Sequence, residues 1–370
     1  MLQYITIFEL NSNQFFNVNN YLPYPMNKNT NSRRKFLKAA TLTSSGTAMG
    51  ISAQANSANK SPELGKFPRE VWVAGISQEA VFADTAEEMV DKIFILMEKV
   101  LVNQPDIICL PELFHTANIK QKYSLSEKIA ISNTVLNRMA AFAKNHHCYL
   151  VVAVNTEERD KVFNSAVLLD RNGVRVGEYR KIHTTENEMG LGISPGPMDP
   201  PVFETDFGKI GIQICFDVLW EDGWKKLKDK GAELVFWPSA YGGGKSLQAK
   251  SLQHRYVVAT STRKGSAKLW DITGKEIAKT GFWEKNYYCT PVNLEKAFLH
   301  TWPFVKYFDD IKKKYGRKIR ITNFHEEEWS VIESLSPDIA IADILKEYNL
   351  KTYDQHRYDA EMAQNKARNS

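Results

Sequence analysis

The chain is poor in cysteine: four in 370 residues, at positions 109, 148, 215 and 289. None falls in a Cys-x-x-Cys pair and none clusters with histidine at zinc-finger spacing, so a sequence-legible zinc module or dithiol redox motif is excluded. Cys109, Cys148 and Cys289 lie in or beside apolar strand-like runs, where a free thiol packs as a small hydrophobe rather than as half of a disulfide framework. Beyond residue 55 no run reaches the roughly 18 apolar residues of a membrane helix. There is no internal repeat, and no low-complexity segment outside the N-terminal region. Charge of one sign is also lacking. Lys plus Arg number 48 against 43 Asp plus Glu, but the first 55 residues hold five of the basic residues and one acid, leaving 43 against 42. No basic stripe interleaved with aromatics remains, so no nucleic-acid partner is expected.

What is present begins with Asn31-Ser32-Arg33-Arg34-Lys35-Phe36-Leu37-Lys38, followed by a weakly apolar run over 39–51 and the small-residue pattern Ala53-Gln54-Ala55. These three features in this order resemble a twin-arginine export signal, which implies the export machinery as a partner and a periplasmic or extracellular location. Residues 1–25 precede the usual charged region, and Met26 is an alternative start. The expected organisation is a leader over 1–55, a linker over 56–69, one catalytic-size domain over 70–296 and an extension over 297–370.

From residue 71 the pattern alternates between strand and helix. Strands are expected at 71–77, 106–110, 149–154, 164–169, 209–214, 233–237, 256–261, 267–270, 276–279 and 287–292. Amphipathic helices are expected at 84–102, 126–144 and 222–230. This mixture predicts α/β layers with both parallel and antiparallel strands. After residue 293 charge density rises. Helices are expected at 304–315 and 337–348, either as a surface extension or as an arm that packs on a neighbouring subunit.

Three segments carry chemistry-bearing residues at strand ends, where α/β proteins place their sites. Leu110-Pro111-Glu112-Leu113-Phe114 delivers a carboxylate. Tyr179-Arg180-Lys181-Ile182-His183 delivers a basic trio. Ile210-Gly211-Ile212-Gln213-Ile214-Cys215-Phe216-Asp217 delivers a thiol into a turn. Singly, each has a bland reading: a surface Glu, a solvated basic face, a buried Cys.

Taken in order, these segments resemble the nitrilase, or carbon–nitrogen hydrolase, superfamily over roughly 71–296. The resemblance extends through Val218-Leu219-Trp220-Glu221 and Lys230-Gly231-Ala232-Glu233-Leu234-Val235-Phe236-Trp237-Pro238-Ser239-Ala240. It implies an α/β fold, a four-layer α-β-β-α sandwich, and assembly as a homo-oligomer. It also implies a Glu–Lys–Cys set without metal or organic cofactor. Cys215 is then the nucleophile, and Glu112 the general base that later acts as acid. Lys181 is the cation that favours a thiolate and an oxyanion, with the Phe216 N–H as second oxyanion donor. A second family glutamate matches Glu188, with Glu186 as its rival. Phe114, Trp220, Trp237 and Tyr241 are candidates for an aromatic wall. His115 and His183 read as satisfied loop histidines, and Asp217 and Glu221 as carboxylates that fix the turn.

Two departures from common relatives stand out. Leu252-Gln253-His254-Arg255 replaces an Arg-containing helix that usually ends in Glu-Asn, and Cys215-Phe216-Asp217 is closer to amidase and carbamoylase branches than to nitrile-cleaving ones. The tail at Tyr315-Gly316-Arg317-Lys318-Ile319-Arg320 leans toward the ureidopropionase side. The resulting expectation is an exported hydrolase of linear amides or N-carbamoyl compounds. An N-acyltransferase using the same triad and a catalytically silent binding or assembly protein of the same fold are the alternatives.

Overall fold

The computed structural model describes residues 69–281 and 286–370. The expected leader and nearly all of the expected linker lie outside the described residues. Twelve strands build two sheets. The first holds β1 (Glu70–Ile76), β2 (Ile107–Cys109), β3 (Tyr149–Glu158), β4 (Lys161–Leu169) and β5 (Arg175–Arg180). The second holds β6 (Val202–Thr205), β7 (Gly208–Ile212), β8 (Leu234–Ser239), β9 (Val257–Thr262), β10 (Lys268–Trp270) and β11 (Glu276–Lys279); β12 (Tyr287–Asn293) returns to the free edge of β1. In each sheet three parallel strands, β1-β2-β3 and β7-β8-β9, are flanked by three antiparallel ones, two on one edge (β4 and β5, β10 and β11) and one on the other (β12, β6).

The layers follow from period-2 patterning on strands that are apolar on both faces. Val71, Val73, Ile107, Cys109, Val151, Leu168, Ile210, Ile212, Phe236 and Ala259 point between the sheets and form the inner core. The intervening Ala74, Ile76, Ile108, Leu150, Val152 and Val167 face outward onto α1 (Ala86–Val100) and α2 (Leu125–His146). On the far side of the second sheet, Val235, Trp237 and Val258 pack beneath further helices. After the short α3 (Glu186–Gly190), these are α4 (Asp222–Asp229) and α5 (Gly244–His254), which contribute Trp224, Leu227 and Leu247. The result is the α-β-β-α sandwich.

The sheets meet most closely at the C-terminal ends of β1 and β9. A Cβ on Gly75 would lie 2.5 Å from the Thr260 carbonyl oxygen, so only glycine fits there. Beside it, the Ile76 N–H donates to Ser261 Oγ (3.2 Å) and the Gln78 N–H donates to the Thr262 carbonyl (2.7 Å). This seam brings the C-terminal ends of strands from both sheets to one place.

The region after residue 295 is more than a surface extension. A three-stranded sheet of β13 (Lys296–His300), β14 (Ile319–Phe324) and β15 (Trp329–Ser334), in order β13-β15-β14, packs against α6 (Phe308–Tyr315) and α7 (Ile341–Glu347) around Leu299, Ile311, Ile332 and Ile344. Phe298 and Val331, on the opposite face, join the inner core of the sandwich. The last helix, α8 (Tyr353–Asn369), buries none of its residues. Among the described residues no helix is long and apolar enough to cross a membrane.

Candidate active site

Each of the three sequence-selected residues follows a strand and is turned inward by local backbone geometry. Past β2, Leu110 N–H is still held by the Val151 carbonyl (3.0 Å), and Leu113 then adopts φ 47° to open a 3-10 turn. That reversal leaves the Glu112 side chain buried. Lys181 follows β5 and donates its backbone N–H to the Asn164 carbonyl on β4 (2.9 Å). The strand delivering Cys215 ends at Ile212, two residues earlier than the sequence pattern suggests. Ile214 leaves the ladder because its N–H is taken by Asp217 Oδ2 (2.8 Å).

Cys215 itself has φ 45°, a left-handed conformation that costs a non-glycine residue of order 1–3 kcal/mol and needs surrounding structure to hold it. Asp217 supplies that hold. Fully buried, it accepts from the Ile214 N–H, the Tyr179 hydroxyl (2.7 Å), the His183 N–H (2.8 Å) and the His183 ring Nδ1 (3.0 Å). From the opposite side Trp237 Nε1–H donates to the Cys215 carbonyl (3.1 Å).

The side chains converge in a charged cluster. Lys181 Nζ lies 3.0 Å from Glu112 Oε1 and 2.8 Å from Glu188 Oε2. Asn164 Nδ2 donates to Glu112 Oε1 (2.8 Å) and to Glu188 Oε1 (2.7 Å). Arg263, just past β9, reaches Glu112 Oε2 at 3.4 Å. Glu188 is further fixed by the Thr185 N–H and hydroxyl in the capping box that starts α3. Two carboxylates thus face two cations.

Burial opposes the Lys181 charge, but the negative charges of Glu112 and Glu188 outweigh it and hold the ammonium above its ordinary range. Burial likewise opposes Glu188 ionisation, and Lys181 with its hydrogen-bond donors overcomes it, so this carboxyl is held below its usual range. The Cys215 thiol moves the other way from what a lysine neighbour alone would give. Burial, then the Glu112 charge, push it up to about 11, against the opposing pull of Lys181, the Ser239 hydroxyl and the Ala240 N–H. The resting sulfur is therefore a protonated thiol, and a base must take its proton as it attacks.

The structure brings Glu112, Lys181, Glu188 and Cys215 into one region. Glu186 opens α3 and makes no contact with the cluster through any described bond. Phe216 is half-buried and packs edge-on against Trp220 (5.0 Å between centroids). Phe114 instead packs in the outer core beneath the helices, and Trp237 reaches the site through its indole N–H, its ring belonging to the other outer core. Tyr241, 36% exposed, stands edge-on to Trp237, and burial, with the Glu112 charge behind it, pushes its hydroxyl up. His115 is buried and bonded to Ser132 Oγ (3.1 Å); burial pushes its ring down to about 3, so it is neutral. His183 is bonded to Asp217 and stacked on Trp220. Asp217 fixes the nucleophile turn, whereas Glu221 pairs with Lys250 and His254 of α5, in the stretch where the sequence departs from common relatives.

Sequence reasoning missed Asn164, Arg263 and the Ser239–Ala240 pair. Asn164 had a signal: it is a lone amide inside the apolar strand Val162-Phe163-Asn164-Ser165-Ala166, where an uncompensated polar group is costly.

A family profile described as carbon-nitrogen hydrolase matches residues 73–297, well over half of the chain. Among curated relatives, a nitrilase of Pyrococcus abyssi is 27% identical over 178 residues, covering 46% of this chain and 67% of that protein. An N-carbamoylputrescine amidase of Solanum tuberosum is 28% identical over 144 residues, 37% of this chain and 48% of that protein. The chain thus spans between about half and two-thirds of the length of these relatives. The solved structure of an amidase from Nesterenkonia sp. superposes with a TM-score of 0.55 at 18% identity, covering 63% of this chain and 94% of that one. Its likeness is one of fold. On the family match, with the sandwich and the converging strand-end residues beside it, the chain belongs to the carbon–nitrogen hydrolase family of the nitrilase superfamily.

Proposed function

We propose that the protein hydrolyses linear amides or N-carbamoyl compounds through a thioester on Cys215, with Glu112 and Lys181 completing the catalytic set. The observation that carries this reading is the convergence of Cys215, held at a left-handed turn past β7, with a buried Glu112 carboxylate that Lys181 (3.0 Å) and Asn164 (2.8 Å) both contact. Sγ attacks the carbonyl carbon while its proton passes to Glu112. Lys181 and the Phe216 N–H stabilise the oxyanion. Glu112 then gives the proton to the departing nitrogen, the carbon–nitrogen bond breaks, and ammonia or an amine leaves. Water adds to the thioester, Glu112 takes its proton, and the acid is released with return of the proton to Sγ. Glu188 keeps Lys181 charged and oriented. A relative named as N-carbamoylputrescine amidase supports this substrate class.

The leader motif supports export through the twin-arginine machinery to a periplasmic or extracellular location. The exposed Tyr358 and Met362 on α8 support a homo-oligomer in which this helix packs on a second subunit. The functional reading is tested by ammonia release from amides, ureas, carbamoyl amino acids and nitriles. Cys215→Ala is expected to abolish turnover and keep the wild-type circular-dichroism spectrum; an active Cys215→Ala enzyme contradicts the mechanism.

A further inference from the structure

Glu112 and Glu188 come from different elements, one after β2 and one in α3, yet they sit as a single unit. Lys181 bridges them from one side, and a neutral residue bridges them from the other. Asn164, in the middle of β4 and fully buried, touches Glu112, Glu188 and Lys181, three of the four charged members of the cluster. Its backbone carbonyl accepts the Lys181 N–H (2.9 Å), and its one NH2 group spans Glu112 Oε1 (2.8 Å) and Glu188 Oε1 (2.7 Å). Lys181 Nζ closes the ring through Glu112 Oε1 and Glu188 Oε2.

We infer that Asn164 is a positioning residue that locks Glu112 Oε1 in place and leaves Oε2 as the oxygen that exchanges protons with Cys215 and the substrate. The inference rests on the reading of Glu112 as the proton-transfer group. Oε1 already receives two strong donors, from Lys181 and Asn164. Among the described residues, Oε2 meets only the part-exposed Arg263, at 3.4 Å. The lone pairs of Oε2 are therefore the ones free to take a proton.

The residue type at 164 follows from the charges. Two carboxylates against Lys181 and Arg263 are balanced, so the remaining position takes a neutral donor. An aspartate there would bring a third buried carboxylate against the first two. The amide has one orientation in this setting, because turning Oδ1 toward two carboxylates is repulsive. Oδ1 is then left buried without a partner among the described residues. An apolar residue in the same strand would avoid that desolvation, so what the amide adds at this position is its NH2 group.

The test measures steady-state ammonia release from the best amide for wild type, Asn164→Ala, Asn164→Asp, Glu112→Gln, the Asn164→Ala/Glu112→Gln pair and Cys215→Ala. Loosening a proton-transfer group by about 1 Å costs on the order of 100-fold in rate. Asn164→Ala is expected to lower kcat by roughly that factor with KM within about 3-fold, and Asn164→Asp to lower it further. In the Glu112→Gln background the Asn164→Ala change is expected to cost less than about 3-fold, because the group it positions is already gone. Losses that multiply in the double variant, or a raised KM with intact kcat, overturn the inference. If Asn164→Ala does not fold, Asn164→Ser, polar but without an NH2 to span both carboxylates, carries the same expectations. Full activity of Asn164→Ala beside a dead Cys215→Ala overturns the positioning role alone, whereas an active Cys215→Ala enzyme overturns the underlying reading.

Discussion

Replacing Glu112 by Gln separates the basicity of the nucleophile from the turnover it supports. With its thiol pushed up to about 11, Cys215 is ionised in roughly one molecule in 3,000 at pH 7.5, against about one in ten for a free thiol near 8.5. The thiolate fraction is thus about 300-fold lower. Greater intrinsic nucleophilicity of the more basic sulfur returns about 15-fold of this, leaving alkylation by iodoacetamide roughly 20-fold slower than at an exposed cysteine. The rate should also keep rising with pH toward 11. Burial is the larger cause of the upward shift and the Glu112 charge the second. Removing a like charge at close range moves a pKa by about 1–3 units. With the same nucleophilicity correction, Glu112→Gln should alkylate about 4- to 40-fold faster at neutral pH. Amide turnover should fall by about 10²–10⁴ in the same variant, since proton transfer has lost its base. The assay is adduct formation followed by intact mass, with peptide mapping to separate Cys215 from the other three cysteines. Alkylation that slows in step with turnover, or a wild-type thiol titrating near 8.5, refutes the electrostatic account.

Two further changes test the frame that holds the site. Asp217→Ala leaves the Ile214 and His183 N–H groups and the Tyr179 hydroxyl without their buried acceptor, and is expected to cost about 3–5 kcal/mol in urea unfolding. A loss under about 1 kcal/mol would show that the turn holds itself. Gly75→Ala places a methyl 2.5 Å from the Thr260 carbonyl and should cost about 1–3 kcal/mol by forcing the sheets apart at the seam. Unchanged stability would contradict the close approach.

The parts of the fold that were legible in the sequence are those whose side chains repeat with a clear period. Strands such as Tyr149–Glu158 and Leu234–Ser239 read as apolar runs because both of their faces are covered, one by the other sheet and one by helices. Glu112, Lys181 and Cys215 each sit at a strand end, but singly each has a bland reading, and it is the order of their segments and the resemblance to the carbon–nitrogen hydrolase superfamily that made them legible as a set. The C-terminal sheet was not legible. In Ile319–Phe324, Arg320 and Thr322 alternate with Ile319 and Ile321, the pattern of an edge strand with one wet face, and charge masks it. Helix Gly244–His254 starts in a run of three glycines with no side-chain cap, so its beginning carries no sequence signal. Asn164 carries a local signal as a lone amide in an apolar strand, but its role is set by Glu112, 52 residues away in the chain, and Arg263 is recognised only through the same carboxylate, 151 residues away. The thiol's upward shift was hidden for a related reason: Lys181 argues for a thiolate, and only the burial around Cys215 reverses it.

The most direct test of a thioester on Cys215 is rapid acid quenching of the enzyme during turnover of a slow amide or carbamoyl substrate, followed by intact-mass measurement and peptide mapping. The account predicts an added acyl group on the peptide that carries Cys215, present with wild type and absent from Cys215→Ala. An acyl group on Cys109, Cys148 or Cys289, or turnover with no covalent adduct at any time point, would contradict it.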